Sequence, residues 1–382
     1  MQTQTLINYG QATFIYKLLS SNNNNPSFIL HDEYKYNGLK VELTKENLQI
    51  HSLTPYFLLA DPSNQTGYIP DWEAPYWFSL DSQNMCLYAG IGEPRLETVK
   101  YTYKFSSNKN NYKKMLESFS HIEYDSTQIQ CLKLLKDPIT IKIPLLVKDT
   151  NDLTMDDIAK SKYMPTANLS LVSQKMYYCI SGKKFVLNTA DFPNFSDAIE
   201  HSIRTPGCWC NKTLKNKSTE FNKDKPNLEE TYLRITLGQN NGESPGIPYV
   251  MEIWPVGHYS PVHSHAGAEA VIRVLHGSIH VKLFPYLSDH MNLPFGKCDF
   301  KEGDITWISP TLNQTHQLVN LSTNKDTCIT IQCYMYDGKD NSHYDYFDYI
   351  DGNRIIQQYE PDSDMDFMAF KELMRKEWNA RN

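Results

Sequence analysis

The chain of 382 residues has no apolar run approaching the roughly 20 residues a helix needs to cross a bilayer. Its first residues, MQTQTLINYGQATFIYKLL, lack the charged-then-apolar order of a secretory signal. A soluble, cytoplasmic protein with no membrane partner is therefore expected. Basic excess is lacking too. Lys and Arg number 37 against 44 Asp and Glu, a net charge of −7, and no basic half or stripe stands out. A nucleic-acid partner is not expected, because phosphate backbones are gripped by clustered cations. Cysteine is sparse, with eight (86, 131, 179, 208, 210, 298, 328 and 333) scattered over a long chain. That density excludes a disulfide scaffold and fits a reducing compartment. Long helical patterns are few.

What is present points to strands. Aromatics make up 12% of the residues, 25 of them Tyr, and 20 Pro and 17 Gly are spread along the chain. The pattern predicts a mainly β protein with few helices, in three parts. Residues 1–30, closing on the polar run Ser20 to Asn25, read as a leader or loose segment. Residues 31–190 alternate short apolar runs with turn signals and read as a strand-rich N-terminal domain carrying no chemical motif; KMYYCISGKKFVLN (175–188) reads as a hairpin. Residues 191–382 read as the domain that holds the site. Helices are expected over 194–203 and 363–378, the latter from apolar residues at 367, 370, 373, 374 and 378. The polar stretch 208–230 reads as a linker. From Thr231 to Asp337 about eight short strands with glycine turns predict a small antiparallel barrel or jelly roll.

One stretch carries chemistry: GHYSPVHSHAGAEAVIRVLHG, residues 257–277. His263 and His265 are two apart, so on a strand they share a face and their imidazoles can converge on one ion. His316 lies in THQLVN, which a barrel can bring beside the first two. Three neutral imidazoles suit Fe, Zn, Ni or Cu and leave positions open for substrate. Glu269 shares the parity of the pair across a glycine and is a candidate fourth ligand. His258 and Tyr259 read as a polar loop at the mouth, His276 and His280 as flanking an outward turn, and Cys208 with Cys210 as lacking the partners zinc would need.

The order G-x5-H-x-H-x3-E-x7-G (257–277) followed by G-x12-H-x3-N (303–320) resembles the two cupin motifs. Within that superfamily, YLRITLGQNNGESPGIPYVMEIWPVGHYSPVHSH (232–265) is similar to the cysteine dioxygenase-like thiol dioxygenases. The resemblance covers about residues 190–337 and leaves the N-terminal half unexplained. It implies a cupin-type barrel and His263, His265 and His316 as ligands of Fe(II). It implies that Arg234 holds a substrate carboxylate and that Tyr334 assists the oxygen chemistry. The implied reaction adds both atoms of O2 to a thiol, free or on a peptide, and yields a sulfinate. Arg234 suits its role chemically, since a guanidinium can grip a carboxylate bidentately.

The chain departs from that family at four positions, one of them Glu269, since three-histidine thiol dioxygenases do not usually use a carboxylate. Ala270 stands where many members carry a cysteine that cross-links to the tyrosine. Thr330 and Gln332 stand where the family has Ser and His, and an amide cannot titrate. Two other readings stay open at this level: a different metal-dependent cupin enzyme using three His plus Glu269, or a non-catalytic cupin binding protein. The oligomeric state is not readable.

Overall fold

The computed structural model describes residues 1–19, 25–44, 47–60, 74–106, 110–238, 248–290, 293–336 and 346–381. The chain forms two compact units, Met1–Lys142 and Ile143–Asn382. The division therefore falls after Lys142 and not at the expected residue 190, because residues 143–190 pack into the core of the second unit. Val147, Leu169, Met176, Tyr177 and Ile180 are buried there against Val271, Ile331 and Met335. Among the described residues no helix is long and apolar enough to cross a membrane.

The first unit holds a six-stranded and a five-stranded sheet. Residues expected to form a loose leader are ordered strands, Gln2–Thr5, Gln11–Leu18 and Ser27–His31. Of the polar run from Ser20, residues 20–24 lie outside the described residues. In Gln11–Leu18 the run ATFIY is buried throughout, which gives a partly exposed leader no room. Aromatic side chains fill the space between the two sheets. Phe14 of one sheet meets Phe28 and Tyr124 of the other at ring-centroid distances of 5.4 Å each. These rings supply large apolar area at low entropic cost, and T-shaped and tilted pairs are preferred geometries.

The second unit has an eight-stranded and a six-stranded sheet. The larger runs Tyr163–Pro165, Leu146–Lys148, Ile305–Ile308, Glu269–His276, Cys328–Met335, Tyr249–Trp254, Leu233–Leu237, Met365–Asp366. The smaller runs Gly296–Lys301, Ser278–Phe284, Thr315–Val319, His263–Ser264, Phe347–Ile350, Ile356–Tyr359. The expected strand density after Thr231 is present, but the closed barrel is corrected. Both sheets are open, since their end strands do not hydrogen-bond to one another among the described residues.

Strand alternation gives the larger sheet two different faces. Val250, Trp254, Ala270, Val274, Cys328 and Tyr334 join one apolar cluster, together with Ile279, Leu283 and Phe347 of the smaller sheet. Met251, Ile253, Val271, Ile329, Ile331, Cys333 and Met335 join the other, under a layer of helices. The site lies on the first of these faces, between the sheets.

The described residues contain six α-helices, more than the composition suggested. Two fall where expected, Phe195–Arg204 and Phe367–Asn379; the second is capped by Asp366 and buries Phe370 and Met374. Two others correct the sequence reading. Instead of a hairpin, Leu171–Ile180 is a helix, with the Ser170 side chain accepting from the Ser173 N–H. Its buried Ser173, Met176, Tyr177 and Ile180 recur at helical spacing, and packing overrides the β-branched and aromatic propensity of the segment. Within the expected linker, Trp209–Asn216 is a helix that buries only Cys210 and Leu214, four residues apart. So narrow an apolar stripe is hard to distinguish from a polar loop.

Candidate metal centre

His263 sits in the two-residue strand His263–Ser264, directly opposite His316 on Thr315–Val319. His265 follows it. The three side chains form the one group among the described residues whose ligand atoms are arranged to hold a metal ion, all within 4.8 Å of one another. Their residues are 6%, 3% and 8% exposed. The ring centroids lie 4.7 to 5.0 Å apart. Strand pairing supplies two corners of the triangle, and the i, i+2 relation supplies the third.

The donor set fits a metal. His263 Nδ1 lies 3.0 Å from the Pro261 carbonyl, and His316 Nδ1 lies 3.0 Å from the Asn313 carbonyl. A carbonyl only accepts, so each Nδ1 carries the proton and each Nε2 presents a lone pair, the arrangement that orients metal-binding imidazoles. The Nε2 atoms of His265 and His316 are 3.2 Å apart, within reach of one ion at metal–nitrogen distances of about 2.0–2.1 Å. Burial, with the His316 imidazole adding to it, lowers the pKa of His263 to about 3. Burial lowers that of His316 to about 4, and that of His265 is pushed well below the ordinary range by burial, both neighbouring imidazoles and the Arg234 charge. All three are neutral near pH 7, as ligation requires.

Beside the histidines is a cavity of about 60 Å³. Its walls are mostly apolar, among them Trp254, Ile272, Leu283, Phe300 and Phe347, and its polar residues other than the histidines include Glu252, Thr330, Gln332 and Tyr334. The Tyr334 ring stacks on His265 at 5.8 Å between centroids. Tyr334 thus stands at the expected site.

Arg234 does not stand as expected. It lies opposite Glu252 in the strand register, and its Nη1 donates to Glu252 Oε1 at 3.1 Å. It is buried and does not line the cavity, whereas Glu252 does. The expected place of Arg234, facing a substrate carboxylate, is not where this geometry puts it: its Nη1 pairs with a carboxylate of the chain itself. Gln332 Nε2 donates to the other Glu252 oxygen, and the Tyr334 hydroxyl donates to Gln332 Oε1. Burial pushes the Glu252 carboxyl up, while Arg234 and Gln332 act in the opposite direction.

Glu269 is corrected as well. Its carboxylate accepts from the Ser170 hydroxyl and, at 2.7 Å, from that of Ser173, on the helix side of the sheet. Between His265 and Glu269 the backbone passes through Ala266 and Gly267, at φ of 49° and 81°. This turn shifts the strand parity, so the face that carries His265 is continued by Ala270 and not by Glu269. Arg273, four residues on, donates to the carbonyls of Ile180 at 2.7 Å and Gly182 at 3.1 Å. One strand therefore places an acid at the start of helix Leu171–Ile180 and a base at its end. A strand advance of four residues, about 13 Å, nearly matches a ten-residue helix of about 15 Å. Each charge complements the helix dipole at its end.

The remaining candidates lie away from the centre. His258 Nδ1 is 3.0 Å from the Thr231 carbonyl, and His280 Nδ1 is 2.7 Å from Asp299. Cys208 and Cys210 are free, and the buried Cys210 thiol faces Met374. Glu252 was missed by the sequence reading. Its signal was available: a lone acid on an apolar strand, next in the chain to a strand with a lone base.

No family model matches the chain, and no curated protein matches it. Solved structures do, weakly. The cupin domain of Schizosaccharomyces pombe Cnp3 is 13% identical at a TM-score of 0.22, over 28% of this chain and 65% of that one. A cupin superfamily protein of Desulfitobacterium hafniense is 14% identical at 0.21, over 28% and 81%. The DMSP lyase DddQ of Ruegeria pomeroyi is 14% identical at 0.22, over 28% and 48%. The chain thus spans less than two thirds of the first and about half of the last. Likenesses of this size carry no argument about function, which rests on the histidines and the cavity.

Proposed function

We propose that the chain is a three-histidine, metal-dependent oxygenase that uses Fe(II) and O2 to convert a small thiol to a sulfinate, RSH + O2 → RSO2H. The observation that carries this is the convergence of three neutral imidazoles on one point, with no carboxylate among them in the described residues, beside a small, mostly apolar cavity. Imidazole donors suit iron, and three neutral ligands leave it positions for both reactants. When bound, iron supplies the redox chemistry that dioxygen needs to react with a closed-shell thiol.

The chain's own residues supply the rest. His263 and His316 are held in their ligating tautomers by the Pro261 and Asn313 carbonyls. Apolar walls exclude water, which strengthens every electrostatic interaction within. Tyr334 places its hydroxyl at the polar wall, with the proton directed at Gln332. The size of the cavity favours a free thiol or the thiol end of a peptide.

The test is elemental analysis of the purified protein, followed by oxygen uptake by the Fe(II)-loaded form against a panel of thiols. The expected product is heavier than its thiol by one dioxygen. Iron-loaded protein that consumes no oxygen with any thiol refutes the reading.

A further inference from the structure

We propose that Glu252, and not Arg234, sets which head group the cavity accepts, selecting one that donates hydrogen bonds or carries positive charge and disfavouring one with a free carboxylate. This rests on the reading above only in taking the cavity for the substrate's. The polar wall is directional. Arg234 can only donate, and its Nη1 donates to Glu252 Oε1 at 3.1 Å. Both N–H groups of Gln332 are engaged, one with Glu252 and one with Thr330 Oγ1 at 3.4 Å. That fixes the amide with its oxygen toward Tyr334, whose single hydroxyl proton it receives.

Along Glu252, Gln332 and Tyr334 these donors thus point along the wall, and the Glu252 carboxylate that lines the cavity offers a ligand acceptor oxygen. Among the described residues the charged side chain that lines the cavity is a carboxylate, paired with Arg234, which does not line it. An incoming carboxylate meets like charge in a dry site, where such juxtapositions are costly. An ammonium or hydroxyl head meets acceptors already oriented.

The full-length protein loaded with Zn(II), which binds the same ligand type but does not react with oxygen, is titrated calorimetrically with 2-aminoethanethiol, 2-mercaptoethanol and 3-mercaptopropionate. The expected order is amine first and carboxylate last, with about a tenfold or larger gap between the two, equivalent to roughly 1.4 kcal/mol or more. In Glu252→Gln the gap closes or inverts, because Arg234 is released to meet the carboxylate. Equal or tighter binding of 3-mercaptopropionate by the unaltered protein overturns the proposal, as does absence of binding by all three. A preference that survives in Glu252→Gln overturns it too. The wild-type series decides the matter if that variant does not fold. Because no oxygen chemistry occurs in the zinc form, failure of the iron form to consume oxygen would remove the reaction class and leave this assignment standing.

Discussion

Removing the Glu269 side chain separates a metal ligand from a helix anchor. In Glu269→Ala the Ser170 and Ser173 hydroxyls lose a common acceptor that is only 8% exposed. A hydrogen bond to a charged group contributes roughly 1.5–3 kcal/mol. Part is recovered, since Ser170 Oγ still accepts from the Ser173 N–H at 3.0 Å and keeps the helix capped. A net loss of about 3 kcal/mol follows, and for a unit of this size that lowers Tm by roughly 6–12 °C. The assay is thermal unfolding of the full chain together with metal content after reconstitution. The expected result is a clear fall in Tm with metal stoichiometry retained. If Glu269→Ala loses its metal while its Tm holds, the carboxylate belongs to the metal site and the reasoning from strand parity fails.

Three further expectations follow from the same geometry. His263→Ala, His265→Ala and His316→Ala should each abolish stoichiometric metal binding, read by elemental analysis, since three donors on one point leave no spare; retention of one equivalent by any of them contradicts the site. Arg234→Met should destabilise the second unit by about 3–5 kcal/mol, because it leaves the Glu252 carboxylate buried without its cation, and Arg234→Met with Glu252→Leu should recover much of that in denaturant unfolding. In metal-free protein, His263 and His316 stay neutral when folded down to about pH 3 and 4 but take up protons when unfolded below about 6.5. The unfolded state binds more protons in that window, so stability is full above about pH 6.5 and falls as pH drops toward 4; a denaturation midpoint unchanged between neutral pH and pH 5 would contradict it.

The centre of the site was legible because it depends on local rules. A two-residue spacing puts His263 and His265 on one face wherever the segment is extended, and the tail helix follows from apolar periodicity and its Asp366 cap. Glu269 was not legible, because two residues at positive φ between it and His265 shift the parity, and backbone handedness at Ala266 is not written in residue type. The helix Leu171–Ile180 was misread for a related reason. Its residues favour strands in isolation, and it is held by Glu269 and Arg273, which lie about ninety residues further along the chain.

By itself the sequence determined the His263–His265 pair and the strand density after Thr231, since each follows from residue type and short-range period, while His316 and Tyr334 took their roles from the resemblance to cupin motifs and thiol dioxygenases. Tertiary structure alone decided where the chain divides, that the sheets stay open, and that Arg234 faces Glu252. The physical reason is the same in each case. An ion pair, a sheet edge or a shared core is a relation between residues far apart in the chain, and only the strand register brings them to one place.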